Sequence, residues 1–204
     1  MVRKGLTILI LMTLLSAAGT FGAWYYWTHR YDDLIVKTAG KYGLDPALVK
    51  SIIYEESFFN PRARSSQNAV GLMQVTPIAM QEWLEQTRVR SLSEALGSIS
   101  GYKPGGPEPA FEEAFIDPAV SLNVGCWYLQ RMLNRYRDEP DPIAVALAAY
   151  NAGPANVERW ASNAERSGMS REEFIARIEF PVTRTYVQKI IARYQYYKKD
   201  RDLR

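Results

Sequence analysis

Cysteine and histidine are nearly absent: this 204-residue chain has one of each, Cys126 and His29. A lone cysteine forms no internal disulfide, and a histidine without a second histidine or a cysteine beside it makes a poor metal site. Cys126 falls inside a helical pattern and reads as a small buried side chain, while His29 borders an apolar segment. The expectation is a chain with no metal and no cofactor. Sustained period-two alternation is missing too, which argues against a sheet-based fold. Charge of one sign is scarce, with 25 Lys and Arg against 22 Asp and Glu, a formal balance of +3. No dense basic run interleaved with aromatics occurs. The terminal Lys198, Lys199, Arg201 and Arg204 read as a solvated helix end, so nucleic acid is not an expected partner. A mild positive balance suits an anionic polymer or a membrane surface without selecting either. What is plentiful is apolar material, 47% hydrophobic and 12% aromatic, enough for a real core and too much for disorder.

The first apolar stretch is long. Arg3 and Lys4 precede an uncharged run from Gly5 to Trp27 that ends in Trp24, Tyr25, Tyr26 and Trp27. At the helical rise this run spans about 34 Å, enough to cross the hydrocarbon core. The basic residues predict a cytoplasmic N-terminus, and the aromatic cluster suits the opposite interface. Ser16-Ala17-Ala18 offers the small residues of a cleavage site, so a cleaved signal peptide competes with a retained anchor. The length of the run and its aromatic end favour retention, and no cysteine there provides for a lipoprotein anchor. Either reading exports the rest. Residues 1–30 are assigned to the signal anchor or transmembrane segment, and 31–204 to one exported domain.

Within that domain the recurring punctuation is Asp-Pro, at Asp45-Pro46, Asp117-Pro118 and Asp141-Pro142. Aspartate is a favoured N-cap, and proline at the first helical position gives up no needed donor. Each pair precedes apolar residues at helical spacing: Leu48, Val49, Ile52, Ile53; then Leu122, Gly125, Leu129, Met132; then Ile143, Ala146, Leu147, Tyr150. A fourth helix, opened by Thr183, carries Val187, Ile190, Ile191 and Tyr194. The domain should be all α. Two segments break the pattern, Asn60 to Val75 and the Gly- and Pro-rich Gly101 to Pro109, and such irregular stretches are either solvent loops or parts of a cleft.

The most informative stretch is Val-Lys-Ser-Ile-Ile-Tyr-Glu-Glu-Ser-Phe-Phe-Asn, residues 49–60. On a helix Glu56 sits over Ile52 and Ile53, following the buried stripe, whereas Glu55 leans toward the polar edge. Burial without a cation disfavours the charged form, so Glu56 should titrate high and remain able to donate a proton near neutral pH. Spacing alone favours the plainer reading, a glutamate that ends its helix facing water.

Ordered motifs tip that balance. Glu56-Ser57 with Phe59-Asn60-Pro61, Gly71-Leu72-Met73-Gln74-Val75 with Pro77, Asp117-Pro118 followed by Gly125 and Tyr128-Leu129, Ala149-Tyr150-Asn151-Ala152-Gly153-Pro154, and Phe180-Pro181-Val182-Thr183-Arg184-Thr185-Tyr186-Val187 succeed one another along the chain. Together they resemble the catalytic domain of soluble lytic transglycosylases (the SLT family), relatives of goose-type lysozymes, from about Tyr31 to Tyr197. The resemblance implies an all-α, lysozyme-like helical domain behind the N-terminal helix. It implies an enzyme that cuts peptidoglycan glycan strands between N-acetylmuramic acid and N-acetylglucosamine, leaving 1,6-anhydro ends. The N-terminal segment places the enzyme on the inner membrane facing the periplasm, with a cleaved and secreted form as the alternative.

In the family a single glutamate is the acid/base, and the match carries that role to Glu56. The remaining motif residues become substrate-binding candidates, each with a plainer alternative. Tyr150 is suited to hydrogen-bond Glu56 or a sugar N-acetyl group, or else to core packing. Gln74 and Asn151 suit sugar hydroxyls or loop stabilisation. Met73 is a flexible apolar wall or core filling. Tyr186 orients Glu56 or packs, and Ser57 positions the helix end or the carboxylate, or caps. Gly71 and Gly153 are expected where a β-carbon would obstruct the backbone. Two features depart from the family pattern: Val182 stands where many relatives carry glutamate, and the stretch from Trp83 to Phe115 is long, which would reshape a cleft wall. The rival functions are a muramidase that uses water and a peptidoglycan-binding scaffold that does not cut.

Overall fold

The three Asp-Pro pairs do what capping chemistry predicts. In the computed structural model, which describes residues 2–87, 92–100, 110–199 and 203, Asp45 accepts from the Ala47 amide at 2.9 Å, Asp117 from Ala119 at 2.8 Å, and Asp141 from Ala144 at 3.0 Å. Each aspartate satisfies an amide that the first turn leaves without a partner, and each proline takes the first helical position. The helices they open are α3 (Pro46–Ser57), α7 (Pro118–Arg135) and α8 (Pro142–Ala152). The described residues hold nine further helices: α1 (Val2–His29), α2 (Asp32–Lys41), α4 (Pro77–Thr87), α5 (Leu92–Ser100), α6 (Phe111–Phe115), α9 (Pro154–Trp160), α10 (Asn163–Arg166), α11 (Arg171–Arg177) and α12 (Pro181–Tyr197). They form no strand, only isolated bridges joining Arg64 to Val70 and Val70 to Val75. Helix α12 begins two residues before the expected Thr183. Pro181 fixes the first turn, and the Arg184 amide closes it on the Phe180 carbonyl at 3.0 Å.

Helix α1 runs 28 residues, with Leu9, Leu11, Met12, Leu14, Leu15 and Phe21 exposed, and is long and apolar enough to cross a membrane. The rest is organised around α7, whose two faces serve two cores. Leu122, Cys126 and Leu129 face the main core, where α12 packs along α3 and α8, burying Ile52, Ile53, Leu147, Val187 and Ile190. Val120 and Val124 face a second, smaller core with Trp83 of α4, Leu92 and Leu96 of α5, and Phe115 of α6. The described parts of the long Trp83–Phe115 stretch thus build a small helical wall with its own interior. Each fully buried Leu or Ile contributes about 1.5–3 kcal/mol, so the division assigns most of the stabilisation to the α3–α7–α8–α12 core. The segment Gly101 to Pro109, expected to be irregular, lies outside the described residues.

Buried charge is paired. Lys50, with no exposed surface, reaches Asp32 at 2.8 Å and ties α3 to α2. Arg166 holds Glu139 at 2.9 Å and Glu158 at 3.0 Å.

Candidate active site

Helix α3 stops one residue after its last glutamate. Phe58 and Phe59 both take left-handed backbone conformations, with φ of 48° and 59°, and turn the chain out of the helix. Glu56 is left half-buried in the final turn, where its Oε1 accepts a hydrogen bond from the Tyr186 hydroxyl of α12 at 2.7 Å. Burial pushes the Glu56 carboxyl up to about 7; the Tyr186 hydrogen bond opposes this by favouring the anion, and the charge of Glu55 adds to it. Tyr186 is itself buried, and its phenol is raised well above its ordinary value, first by burial and then by the Glu56 charge.

Glu55 does not sit at a solvated edge as its helical position suggested. Its side chain is only 12% exposed and is held by Arg193 at 2.9 Å and Lys189 at 3.7 Å. Arg193 in turn lies 3.2 Å above the Tyr54 ring. The reason is tertiary: α12 packs along α3 and brings two cations to the side that spacing alone assigns to water.

The irregular segment after α3 is held tightly. Gly71 has φ of 86°, and a β-carbon there would collide with the Phe115 carbonyl and lie 2.6 Å from Ser121 Oγ. Gly153 also has φ of 86° and terminates α8. Ser57 donates to the Leu72 carbonyl at 2.9 Å and lies 3.1 Å from the Ile53 carbonyl, so its hydroxyl fastens the α3 terminus to this segment. Gln74, at φ 48°, donates its amide to the Ala63 and Gly71 carbonyls, each at 3.1 Å. Of the two readings of Met73, the apolar wall for a sugar fails: its side chain is fully buried, with Sδ 3.9 Å from Cys126 Sγ and pressed against Gly125. What Met73 presents is its carbonyl, which accepts from the Tyr150 hydroxyl at 2.9 Å. That bond also occupies the phenol expected to reach Glu56; Tyr150 senses Glu56 only through its charge.

A groove of about 350 Å³ opens beside these residues, lined among others by Gln74, Ile78, Glu82, Tyr128, Tyr150 and Asn151. Asn151 is exposed, and its Oδ1 accepts from the Thr183 hydroxyl at 2.7 Å. A second hollow is lined by Glu55, Val182, Thr185, Tyr186 and Lys189. Tyr186, the hydrogen-bond partner of Glu56, lines the second hollow, and Tyr150, which feels the Glu56 charge, lines the groove. Helix α4 supplies one wall of the groove, and Glu82 on it, 3.3 Å from Arg131, is a carboxylate that sequence reading passed over. Tyr128, edge-on to Tyr150 at 5.5 Å between ring centres, was noted only as a helix marker. Helical periodicity marks both as half-buried, but nothing local says that they border an opening. Among the described residues no group of three or more His, Cys, Asp or Glu side chains is placed to hold a metal ion.

This architecture has known counterparts. The transglycosylase SLT domain model matches residues 33–172. The chain belongs to that family. The SLT domain here is 30% identical over 169 residues to the soluble lytic murein transglycosylase of Escherichia coli, covering 82% of this chain and 23% of that one. It is 33% identical over 139 residues to the membrane-bound lytic murein transglycosylase C of Shigella sonnei, covering 66% of this chain and 34% of that one. The chain therefore spans about a quarter to a third of the length of these relatives. Among solved structures, an inactive glutamate-to-glutamine mutant of the lytic transglycosylase Slt from Pseudomonas aeruginosa superposes with a TM-score of 0.67 at 26% identity, over 84% of this chain and 24% of that one. The 70-kDa soluble lytic transglycosylase in complex with bulgecin A superposes at 0.68 and 25% identity, over 85% of this chain and 25% of that one. The helical, lysozyme-like class expected of the SLT domain is the one observed. The matched residues end at 172, so the partner of Glu56, Tyr186, lies beyond them.

Proposed function

We propose that this chain is a membrane-anchored lytic transglycosylase that cleaves peptidoglycan between N-acetylmuramic acid and N-acetylglucosamine, with Glu56 as its single acid/base. The observation that carries the reading is a half-buried carboxyl at the end of α3 that accepts from a phenol at 2.7 Å and meets no cation among the described residues, so that burial raises its pKa to about 7. Such a group is protonated often enough at neutral pH to act as an acid and basic enough afterwards to act as a base.

Glu56 gives its proton to the bridging oxygen as the C1–O bond breaks, and the leaving N-acetylglucosamine keeps the electron pair. The muramic acid N-acetyl oxygen supports the cationic C1. The Glu56 carboxylate then takes the C6 hydroxyl proton while O6 bonds to C1, closing the 1,6-anhydro ring and restoring the acid. No water is consumed, because the intramolecular hydroxyl is at high effective concentration. Most glycosidases divide this work between two carboxyl groups. Here Glu55 is engaged by Arg193 and Lys189, and Val182 carries no charge, so the second role falls to the substrate.

The other candidates take supporting roles in this reading. Tyr186 orients Glu56, and Gln74, Asn151 and the Tyr150 edge line the groove for the glycan. Ser57 and Met73 shape its floor from behind. Residues 1–30 anchor the catalytic domain, 31–204, to the inner membrane on its periplasmic face. The apolar helix α1 and the likeness to a membrane-bound transglycosylase support that placement.

Mass spectrometry of glycan digested by wild type and Glu56→Gln tests the proposal. Anhydro-muramyl products from wild type alone are expected. Hydrated reducing ends would turn the assignment to a muramidase, binding without products would indicate a scaffold, and full activity in Glu56→Gln would remove Glu56 from the chemistry.

A further inference from the structure

The two residues that turn the chain after Glu56 are held from far away in sequence. Phe58 and Phe59 carry consecutive positive φ angles, an arrangement that costs bulky side chains about 1–3 kcal/mol each and persists only when the surroundings enforce it. Their carbonyls point out of the helix, where the last turn supplies no donor. The Phe58 carbonyl accepts from Trp27 Nε1–H at 2.8 Å. The Phe59 carbonyl accepts from the Arg30 guanidinium. Arg30 stacks on the Trp27 ring at 3.5 Å, so the two donors form one unit. That unit straddles the end of α1, the helix proposed to cross the membrane.

Packing reinforces the clamp. Phe59 is fully buried, and the Tyr54 ring meets Phe58 and Phe59 edge-on at 5.0 and 6.1 Å. The terminal turns of helices fray unless held, and here the terminal turn carries the glutamate. Fraying would move Glu56 off Tyr186 and admit water to its carboxyl. We infer that Trp27 and Arg30 are positioning residues for Glu56, making the end of the anchor helix a working part of the active site rather than a tether alone. The inference rests on the assignment of Glu56 as the acid/base.

The test uses the full-length chain in detergent micelles, with purified glycan strands as substrate. Trp27→Phe keeps the ring and removes the N–H donor; Arg30→Met keeps the stem and removes the guanidinium. Each variant should lower kcat about three- to tenfold, the scale of one net hydrogen bond, with KM within about twofold. Each should also move the alkaline limb of the pH profile to lower pH: hydration of Glu56 relieves the burial that chiefly raises its pKa, which outweighs the opposite effect of a weakened Tyr186 hydrogen bond. The charged and titratable groups facing Glu56 are Glu55 on α3, Tyr150 on α8 and Tyr186 on α12, with Lys189 and Arg193 acting through Glu55. All of them are intact in both variants. Arg30→Lys, which keeps a donor, should recover part of the rate, and the melting temperature should stay within about 4 °C of wild type.

Wild-type kcat and an unmoved limb in both variants would overturn the inference. So would a rate loss that follows the unfolded fraction with no limb shift, or a failure of both variants to fold, since either outcome makes the segment a structural brace only. Glu56→Gln measured alongside separates the two levels. If it is active, the acid assignment falls; if it is inactive while Trp27→Phe and Arg30→Met behave as wild type, only the clamp falls.

Discussion

The two sides of the α3 terminus hold adjacent glutamates in opposite surroundings. Glu55 meets the cations Arg193 and Lys189, while Glu56 meets the Tyr186 phenol. Both sets of partners come from α12, where Tyr186, Lys189 and Arg193 follow one another at three- and four-residue steps along one face. Both carboxyls are partly withdrawn from water; Glu55 is compensated by an ion pair, whereas burial drives the Glu56 carboxyl up toward neutrality. The lesson is that burial alone does not make a proton donor; what matters is which partner a packed helix brings.

The comparison breaks most completely at Glu56. Glu56→Gln should reduce turnover by about 10²- to 10⁴-fold, as expected for loss of a general acid, with strand binding retained. The same variant reports on stability. The Glu56 pKa is about 7 in the fold against an ordinary 4.5, so the unfolded chain ionises first. The stabilising contribution is complete below about pH 4.5 and is lost as pH rises through about 7. Glu56→Gln, which does not titrate, should match wild type near pH 4 and exceed it above pH 7, by up to about 2 kcal/mol after discounting for a carboxyl that borders solvent. Denaturant unfolding at the two pH values checks this, and an equal difference at both would contradict the raised pKa.

Removing the phenol tests the other partner. Tyr186→Phe should cost about tenfold in kcat. Because the lost bond favoured the carboxylate, the alkaline limb of kcat should move to higher pH even as the rate falls. The smallest effect is expected at Glu55. Glu55→Gln removes a like charge, so Glu56 should lose its proton more readily and the limb should move down by less than about one pH unit. Opposite limb shifts in Tyr186→Phe and Glu55→Gln would confirm the comparison; shifts in the same direction would refute it.

Much of this is legible in the sequence. Asp45, Asp117 and Asp141 announce their helices because an N-cap bond spans only two or three residues. The stripe of Val49, Ile52 and Ile53 points to Glu56 for the same local reason. Legibility fails where a side chain has two chemically reasonable uses. Met73 was read as wall or filler, and only the approach of Gly125 and Cys126 decides for filler. Tyr150 suits Glu56, a sugar N-acetyl group or core packing, and the hydroxyl goes to a carbonyl 77 residues back. Glu55 was assigned to the polar edge because its cations arrive from 134 and 138 residues downstream.

By itself the sequence determined an all-helical domain behind an apolar N-terminal helix, the starts of its main helices, and the one glutamate that follows a buried stripe. These are consequences of capping and periodicity, which act within a turn or two of the chain. Tertiary structure alone decided which phenol meets Glu56, which cations neutralise Glu55, and that Trp27 and Arg30 grip the turn beyond. Those contacts join residues from about 30 to 140 positions apart, and no local rule encodes a distance that packing sets.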